Sequence, residues 1–271
     1  MKAMILAAGL GTRLRPLTNN RPKALVEVAG RTLLEITLSR LRSFGVRDVI
    51  INVHHFADLV IDYLKAHDNF GMNIAISCED VLLDTGGGLK KAAHFFLCNF
   101  LEDASGEPFI LHNVDVISTI DLRRMLQFHT ERQALATLAV QDRVTSRYLL
   151  FDKELHLCGR RAGRDGAPEI VREPTSDGHP TLSTAQSGSA PLMQRLHALA
   201  FSGIHVISPR LLRMLTEEGV FPIIPTYLRL AAAGEKILAF RADEYYWRDL
   251  GKPEQLEQAA EDVKQNRLAL F

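Results

Sequence analysis

Leu6-Ala7-Ala8-Gly9-Leu10-Gly11-Thr12-Arg13-Leu14-Arg15-Pro16, followed by Pro22-Lys23, comes directly after an apolar run, Ala3-Met4-Ile5, at the start of this 271-residue chain. An apolar strand that ends in a glycine loop is the opening unit of a Rossmann-like α/β sheet. Glycines lack Cβ, so backbone N–H groups can close around a bulky anion. Here Arg13, Arg15, Arg21 and Lys23 add the charge that backbone dipoles alone do not supply. That much positive charge suits a nucleoside triphosphate. Two other glycine motifs are excluded. A dinucleotide fingerprint needs a third glycine where Leu14 stands and a ribose-binding acid where the next strand offers Asn52. A Walker loop needs Gly-Lys-Ser/Thr, a tripeptide absent from the chain.

Outward from this loop, strand and helix patterns alternate. Lys2–Leu6, Asp48–Val53, Ile74–Cys78 and Phe109–Leu111 read as strands. Thr32–Phe44 and Ala57–His67 read as helices, and so does Leu89–Leu97 after the triple glycine. The alternation implies an α/β fold: a Rossmann-like, mostly parallel mixed sheet flanked by helices on both faces, with ligands beyond the carboxyl ends of its strands. The second half is mixed. Ala134–Val140, Leu149–Phe151, Leu155–Cys158, His197–Ile207 and Lys236–Phe240 read as strands. Leu211–Thr216 and Ile223–Ala233 read as helical, and Pro253–Lys264 is a closing helix with proline at its start. Gly159–Pro191, rich in Arg, Gly, Ser, Thr and Pro, reads as an irregular surface excursion.

Lys plus Arg and Asp plus Glu each number 32, so no general polyanion partner such as nucleic acid is expected, and an anion site must come from local clustering. Cys78, Cys98 and Cys158 have no metal-binding spacing; Cys78 is expected to be an inert thiol in a buried strand, and the three suggest a reducing compartment. His54-His55 lacks partners at metal-ligand spacing. No leader pattern and no apolar run of membrane-spanning length is present, so a cytoplasmic protein without a membrane partner is expected.

The run from Gly9 to Lys23 resembles the Gly-x-Gly-Thr-Arg…Pro-Lys signature of the sugar-phosphate nucleotidyltransferases, also called nucleotide-sugar pyrophosphorylases. The likeness continues through Val26 to Gly30 and Leu33-Leu34-Glu35. It returns at Asp84-Thr85-Gly86-Gly87-Gly88, Asn113-Val114-Asp115, Phe201-Ser202-Gly203-Ile204 and Trp247-Arg248-Asp249-Leu250-Gly251. These blocks imply a single domain over 1–271 of the nucleotide-diphospho-sugar transferase type. Its nucleotide-binding half would be 1–130, its sugar-binding half 131–252 with the excursion at 159–191, and its closing helix 253–271. The activity implied is transfer of NMP from an NTP to a sugar 1-phosphate, giving an NDP-sugar and pyrophosphate. The partners implied are those two substrates, with Mg²⁺ as cofactor.

Such a reaction must bring two polyanions together, so positioning and charge neutralisation should carry it. Arg13 is expected on the β- and γ-phosphates, because a planar guanidinium grips two oxygens. Lys23 is expected near the α-phosphate. Arg15 and Arg21 read as weaker candidates, compatible with solvated surface arginines. Asp115 and Asp249 each follow an apolar or aromatic run and suit the one or two carboxylates that Mg²⁺ takes; the matching family aspartates coordinate the metal. Asp121 reads instead as a helix N-cap. The nucleotide is expected against Leu6, Ala7, Ala8, Gly9, Gly11 and Thr12, with Thr85, Gly86 and Asn113 nearby. Glu79 and Asp80 read equally as base acceptors or as a solvated turn. The sugar is expected towards Arg147, Ser202 and Gly203, with 159–191 as a flap if it is more than a surface excursion.

Two departures stand out. Val114 replaces a glycine common in the family, and the usual Glu-Lys-Pro becomes Val171-Arg172-Glu173-Pro174, which leaves the sugar-phosphate lysine unassigned and Arg172 as a candidate for its place. The short length and the Asp-Thr-Gly-Gly-Gly segment resemble the bacterial branch that includes the N-acetylmuramic acid 1-phosphate uridylyltransferases. Acceptors of amino-sugar or hexose type are therefore expected. Mannose-1-phosphate guanylyltransferases, glucose-1-phosphate thymidylyltransferases and phosphocholine cytidylyltransferases stand as alternatives. A non-catalytic nucleotide-sugar sensor is the alternative outside enzymes, disfavoured by the retention of Arg13, Lys23, Asp115 and Asp249.

Overall fold

Successive residues of a strand face opposite sides of its sheet, and both sides of the first strand are apolar. Ala3 and Ile5 belong to one hydrophobic cluster and Met4 to another. The computed structural model describes residues 1–97, 106–175 and 193–268. Strand β1 (Lys2–Leu6) lies in the interior of a ten-stranded sheet. A two-stranded hairpin, β2 (Glu27–Val28) and β3 (Arg31–Thr32), follows. Then come β4 (Asp48–Val53), β5 (Asn73–Cys78), β6 (Phe109–Asn113), β7 (Val116–Ser118), β8 (Ala136–Gln141) and β9 (Arg147–Phe151). The last five are β10 (Leu157–Ala162), β11 (Pro168–Ile170), β12 (His197–Ile207), β13 (Ile237–Arg241) and β14 (Trp247–Asp249). The sheet order is β11-β10-β9-β12-β6-β1-β4-β5, with β8 also on β12 and β13 on β8. β5, β4, β1 and β6 are mutually parallel, β12 runs antiparallel to β6, and β13 is parallel to β8.

The helices are α1 (Leu33–Ser43), α2 (Ala57–Ala66), α3 (Asp84–Lys91), α4 (Ala93–Phe96), α5 (Leu122–Arg132), α6 (Ile223–Ala232) and α7 (Pro253–Lys264). α1 starts at Thr32, whose hydroxyl accepts from the N–H of Glu35, and Gly45 at φ +87° follows its end. α1, α2, α5 and α7 cover one face of the sheet through Leu34, Val60, Met125 and Leu256. α3 and α6 cover the other through Leu89, Ile223 and Tyr227. Both faces are thus buried, as the Rossmann-like reading requires.

Three expectations are corrected. The triple glycine lies inside α3 and not before a helix. A Cβ at Gly86 would come within 2.4 Å of the Phe221 ring, one at Gly87 within 2.5 Å of the Gly219 carbonyl, and one at Gly88 within 2.8 Å of the Asn52 and Glu79 side chains. Close packing therefore outweighs the roughly 1 kcal/mol by which a helical glycine is less favourable than alanine. The first part of 159–191 is regular, with β10 and β11 paired at Gly159–Ile170 and Arg161–Pro168. The rest of that excursion, from residue 176 to 191, and Cys98 lie outside the described residues. Cys78 is exposed, because it ends β5 at the edge of the sheet.

Candidate active site

The loop after β1 is shaped by Gly11, which sits at φ +63° where a Cβ would meet Thr18 at 2.9 Å. Thr18 Oγ1 donates to the Gly11 carbonyl at 2.9 Å, and one turn of 3-10 helix, Thr12–Leu14, follows. Leu14 is fully buried and anchors this turn, leaving Arg13 exposed beside it. Pro22 then opens a second short turn, Lys23–Leu25, which carries Lys23 inward until it is only 8% exposed. Lys23 Nζ donates to Asp115 Oδ2. This ion pair is largely desolvated, so either partner left alone would be a costly isolated charge.

Asp115 stands between β6 and β7, and Asp249 ends β14. Antiparallel pairing of β7 with β14 sets Asp249 opposite Val116, one residue from Asp115. The N–H of Leu250 donates to the Asp115 carbonyl at 2.8 Å, and that of Gly251 to Asp249 Oδ1 at 2.6 Å. A Cβ on Gly251 would fall 2.6 Å from Arg13 Nη2 and 2.7 Å from Asp249 Oδ1. Glycine at 251 is what lets the guanidinium and the second carboxylate approach each other. Arg13, Asp115 and Asp249, each more than a hundred positions from the next in the sequence, therefore meet at one end of the sheet.

Leu6, Ala7, Gly9, Gly11, Thr12, Arg13, Lys23 and Asp115 line one cavity of about 230 Å³, closed by Val114 and Gly251. Larger depressions of about 650 and 520 Å³ lie elsewhere, at Arg42–Arg47 and at Gln133–Lys236. Neither contains the glycine loop or Asp115, so the smaller cavity is the chemical candidate. Val114, 4% exposed, supplies an aliphatic wall, and its N–H donates to the Leu6 carbonyl at 3.1 Å. Ala8 is buried and lies outside the lining.

The other expected residues divide. Asn113 ends β6, its Nδ2 3.0 Å from where a Gly203 Cβ would stand. Gly203, at φ +75°, occupies a register shift in β12 between Phe201 and His205, so this strand bends beside Asn113. Ser202 is fully buried; its carbonyl accepts from Trp247 Nε1 at 2.7 Å, while its Oγ has no partner among the described residues. Arg147 is exposed on β9 and outside the cavity lining. Thr85 and Gly86 lie outside it too. The Gly86 N–H goes to the Phe221 carbonyl at 2.9 Å, and Thr85 Oγ1 accepts from the Ile223 N–H at 3.0 Å. Both groups thus fasten the segment before α6 to α3. Arg172 lies beside His156 and Cys158 and outside the lining. Arg15 and Arg21 are exposed, and Asp121 caps α5, accepting from the N–H groups of Arg123 and Arg124.

Sequence reasoning missed Arg143 and gave Asn52 no role. Arg143 lies over the Trp247 ring at 3.7 Å and donates to the Phe201 carbonyl at 2.8 Å. Burial lowers its pKa, and the charge of Asp249 opposes that shift. A basic residue just past the end of the Ala134–Val140 strand pattern was the available signal. Asn52 accepts the Ala7 N–H at 2.7 Å, directly beneath the cavity.

Among the described residues no group of three or more His, Cys, Asp or Glu side chains could hold a metal by itself. The site instead offers two carboxylates facing a guanidinium and an ammonium. Such an arrangement binds a polyanion and can share a cation with it. Among the described residues no helix is long and apolar enough to cross a membrane.

Comparison with known proteins bears on the family and the fold. The family model described as nucleotidyl transferase matches residues 2–149. The chain is 57% identical over 93 residues to N-acetylmuramate alpha-1-phosphate uridylyltransferase of Caulobacter vibrioides, covering 33% of this chain and 38% of that protein. It is 29% identical over 255 residues to a mannose-1-phosphate guanyltransferase of Yarrowia lipolytica, covering 93% and 61% respectively. The matched stretches thus span less than two thirds of these relatives' length. A crystal structure of UDP-glucose pyrophosphorylase complexed with UDP-glucose shares the fold, with a TM-score of 0.71 at 17% identity over 98% of this chain and 99% of that one.

Proposed function

Because the chain belongs to the nucleotidyl transferase family, among the sugar-phosphate nucleotidyltransferases, we propose that it transfers UMP from UTP to an amino-sugar or hexose 1-phosphate and releases pyrophosphate. The observation that carries this reading is the cavity at the carboxyl ends of β1 and β6 that Arg13, Lys23 and Asp115 line, with Asp249 beside Arg13 at Gly251 and outside the lining itself. The uridylyl and amino-sugar details rest on the 57% identity over 93 residues to the Caulobacter enzyme. A guanylyl transfer to mannose 1-phosphate is the second reading, supported by the 29% match along 93% of the chain.

In this reaction an oxygen of the sugar phosphate attacks the α-phosphorus, and the bond to the pyrophosphate oxygen breaks. The second pKa of a phosphate monoester is about 6, so the nucleophile is largely a dianion near neutral pH and needs no general base. Arg13 faces the leaving pyrophosphate and offsets the charge it gains. Lys23, on the turn that Pro22 opens and paired with Asp115, stands near the bond being made. The glycine loop gives backbone N–H groups to the phosphates, and Val114 limits the room beside them. Arg143, stacked on Trp247 beside Asp249, is positioned to meet the incoming sugar phosphate.

The donor set fits Mg²⁺. Asp115, just before β7, and Asp249, at the end of β14, stand at adjoining positions of this antiparallel pair and offer oxygen ligands, and Mg²⁺ usually takes one or two carboxylates with the rest from phosphate and water. When bound there, Mg²⁺ would lower the repulsion between the two phosphate groups.

The test is to incubate the protein with Mg²⁺, each of ATP, CTP, GTP, UTP and dTTP, and a panel of sugar 1-phosphates, and to measure pyrophosphate. UTP with an amino-sugar or hexose 1-phosphate should give the highest rate. A highest rate with GTP and mannose 1-phosphate would establish the second reading. No release from any pair would exclude both.

A further inference from the structure

We infer that Asn52, braced by Glu79, is a positioning residue that sets where the glycine loop meets the triphosphate; this rests on reading the cavity as a nucleotide site. Asn52 lies on β4 and is 2% exposed; Glu79 follows β5 and is 4% exposed. One side-chain hydrogen bond joins them to each other, and two join them to their surroundings. The Ala7 N–H donates to Asn52 Oδ1 at 2.7 Å, Asn52 Nδ2 donates to Glu79 Oε1 at 2.7 Å, and Glu79 Oε2 accepts the Leu83 N–H at 2.9 Å.

The placement has a structural logic. Leu6 is the last residue of β1 in register with β4, and its partner there is Asn52 itself. Ala7 is the next residue and already lines the cavity. Its N–H, buried and beyond the ladder, would be an orphan donor without the Asn52 side chain. That side chain carries the sheet's hydrogen bonding one residue into the loop. Glu79 extends the brace to the Leu83 turn that opens α3. α3 is packed onto the pair so closely that a Cβ at Gly88 would stand 2.8 Å from both Asn52 Nδ2 and Glu79 Oε1. The height of the loop is therefore fixed by three strand ends and one helix, and not by the loop alone.

The polarity of the chain of bonds is also fixed. Ala7 and Leu83 each present an N–H that can only donate. Asn52 must turn Oδ1 to Ala7, which leaves Nδ2 for Glu79, and Glu79 must accept at both oxygens. Asn52→Asp keeps the acceptor for Ala7 but sets carboxylate against carboxylate. Glu79→Gln faces donor against donor at one end, whichever way its amide lies. The double substitution Asn52→Asp with Glu79→Gln restores all three bonds, with only the middle one reversed in direction.

The test measures triphosphate affinity by calorimetry in Mg²⁺, using whichever of ATP, CTP, GTP, UTP and dTTP the wild type binds most tightly, at a temperature where circular dichroism shows every variant folded. Asn52→Asp should weaken binding by about tenfold or more, the scale expected for a broken buried hydrogen bond. The double variant should return to within about threefold of wild type. Affinity unchanged in Asn52→Asp, with only its melting temperature lowered, would make the network purely structural and overturn the inference. So would a double variant as weak as the single one. Wild-type protein that binds a triphosphate but releases no pyrophosphate with any acceptor counts against the proposed reaction and leaves this comparison intact.

Discussion

Lys23 and Asp115 are each other's counter-charge at the edge of the cavity, with side chains only 10% and 20% exposed. Replacing Lys23 by Met should lower kcat/KM for pyrophosphate release by about 100- to 1000-fold, the range for loss of one preorganised charge aimed at a reacting phosphate. A loss under tenfold in steady-state assays would remove Lys23 from the chemistry. Asp115→Asn and Asp249→Asn should each abolish pyrophosphate release while the circular dichroism spectrum stays as in the wild type; full activity in both would dissolve the proposed metal site. Residues of this kind were legible in the sequence because local spacing carries them: a glycine loop followed by Arg13, a proline followed by Lys23, an aspartate after an apolar strand. Asn52 and Arg143 were not. Their surroundings depend on which strand ends become neighbours, Leu6 with Asn52 in one case and β12 with Trp247 in the other. Thr85 and Gly86 were expected at the nucleotide because glycines permit close approach. The close approach exists, but it is to Phe221.

At the scale of elements, α3 shows why a glycine run is a poor guide to loop or helix. Local propensity reads Gly86-Gly87-Gly88 as a break, whereas the packing partners Phe221, Gly219 and Asn52 crowd a helix from three successive directions and leave no room for a side chain at any of these positions. Gly86→Ala should therefore destabilise the protein by about 1–3 kcal/mol, as overpacking does, although alanine is the better helix former by up to about 1 kcal/mol. A lowered urea midpoint checks this; an unchanged or raised midpoint would show that Phe221 moves aside without cost. β7 escaped sequence reading for a different reason, and β14 begins only at the last residue of the aromatic run Tyr245-Tyr246-Trp247 that the sequence suggests as a strand. Each is three residues long, and only their pairing with each other makes them strands. Much of β10 and all of β11 were hidden in a stretch whose arginines, glycines and serines obscure alternation, yet Arg160 pairs with Glu169 across that hairpin at 2.6 Å.

For the whole molecule, alternating apolar runs made the Rossmann-like class legible, because a sheet buried on both faces needs near-continuous hydrophobic strands. What the alternation did not encode is the antiparallel insertion of β12 between β6 and β9, the strand that brings Gly203 to Asn113. The same burial sets a pH limit on stability. His112, His129 and His205 are buried, and burial holds their pKa values at about 4, about 4 and about 3, below the ordinary 6.5. Each remains neutral in the folded chain, while the unfolded chain binds protons below pH 6.5. Stability from these groups is therefore fully present above pH 6.5 and is lost as the pH falls towards 4, by up to about 1.4 kcal/mol per pH unit for each histidine. Urea midpoints should be equal at pH 7.5 and 7.0 and clearly lower at pH 5.5. Equal midpoints at pH 7.0 and 5.5 would mean that these rings are protonated at no cost.

In the proposed reaction Arg13 and Lys23, with the carboxylates Asp115 and Asp249, move a nucleotidyl group between two phosphates. Phosphorus-31 NMR of wild-type protein with Mg²⁺, UTP and an amino-sugar 1-phosphate tests it most directly. The triphosphate and monoester signals should disappear together, replaced by the coupled doublets of a sugar diphosphate and the single resonance of pyrophosphate. Conversion of UTP to UMP and pyrophosphate with the sugar phosphate untouched, or to UDP and orthophosphate, would contradict it.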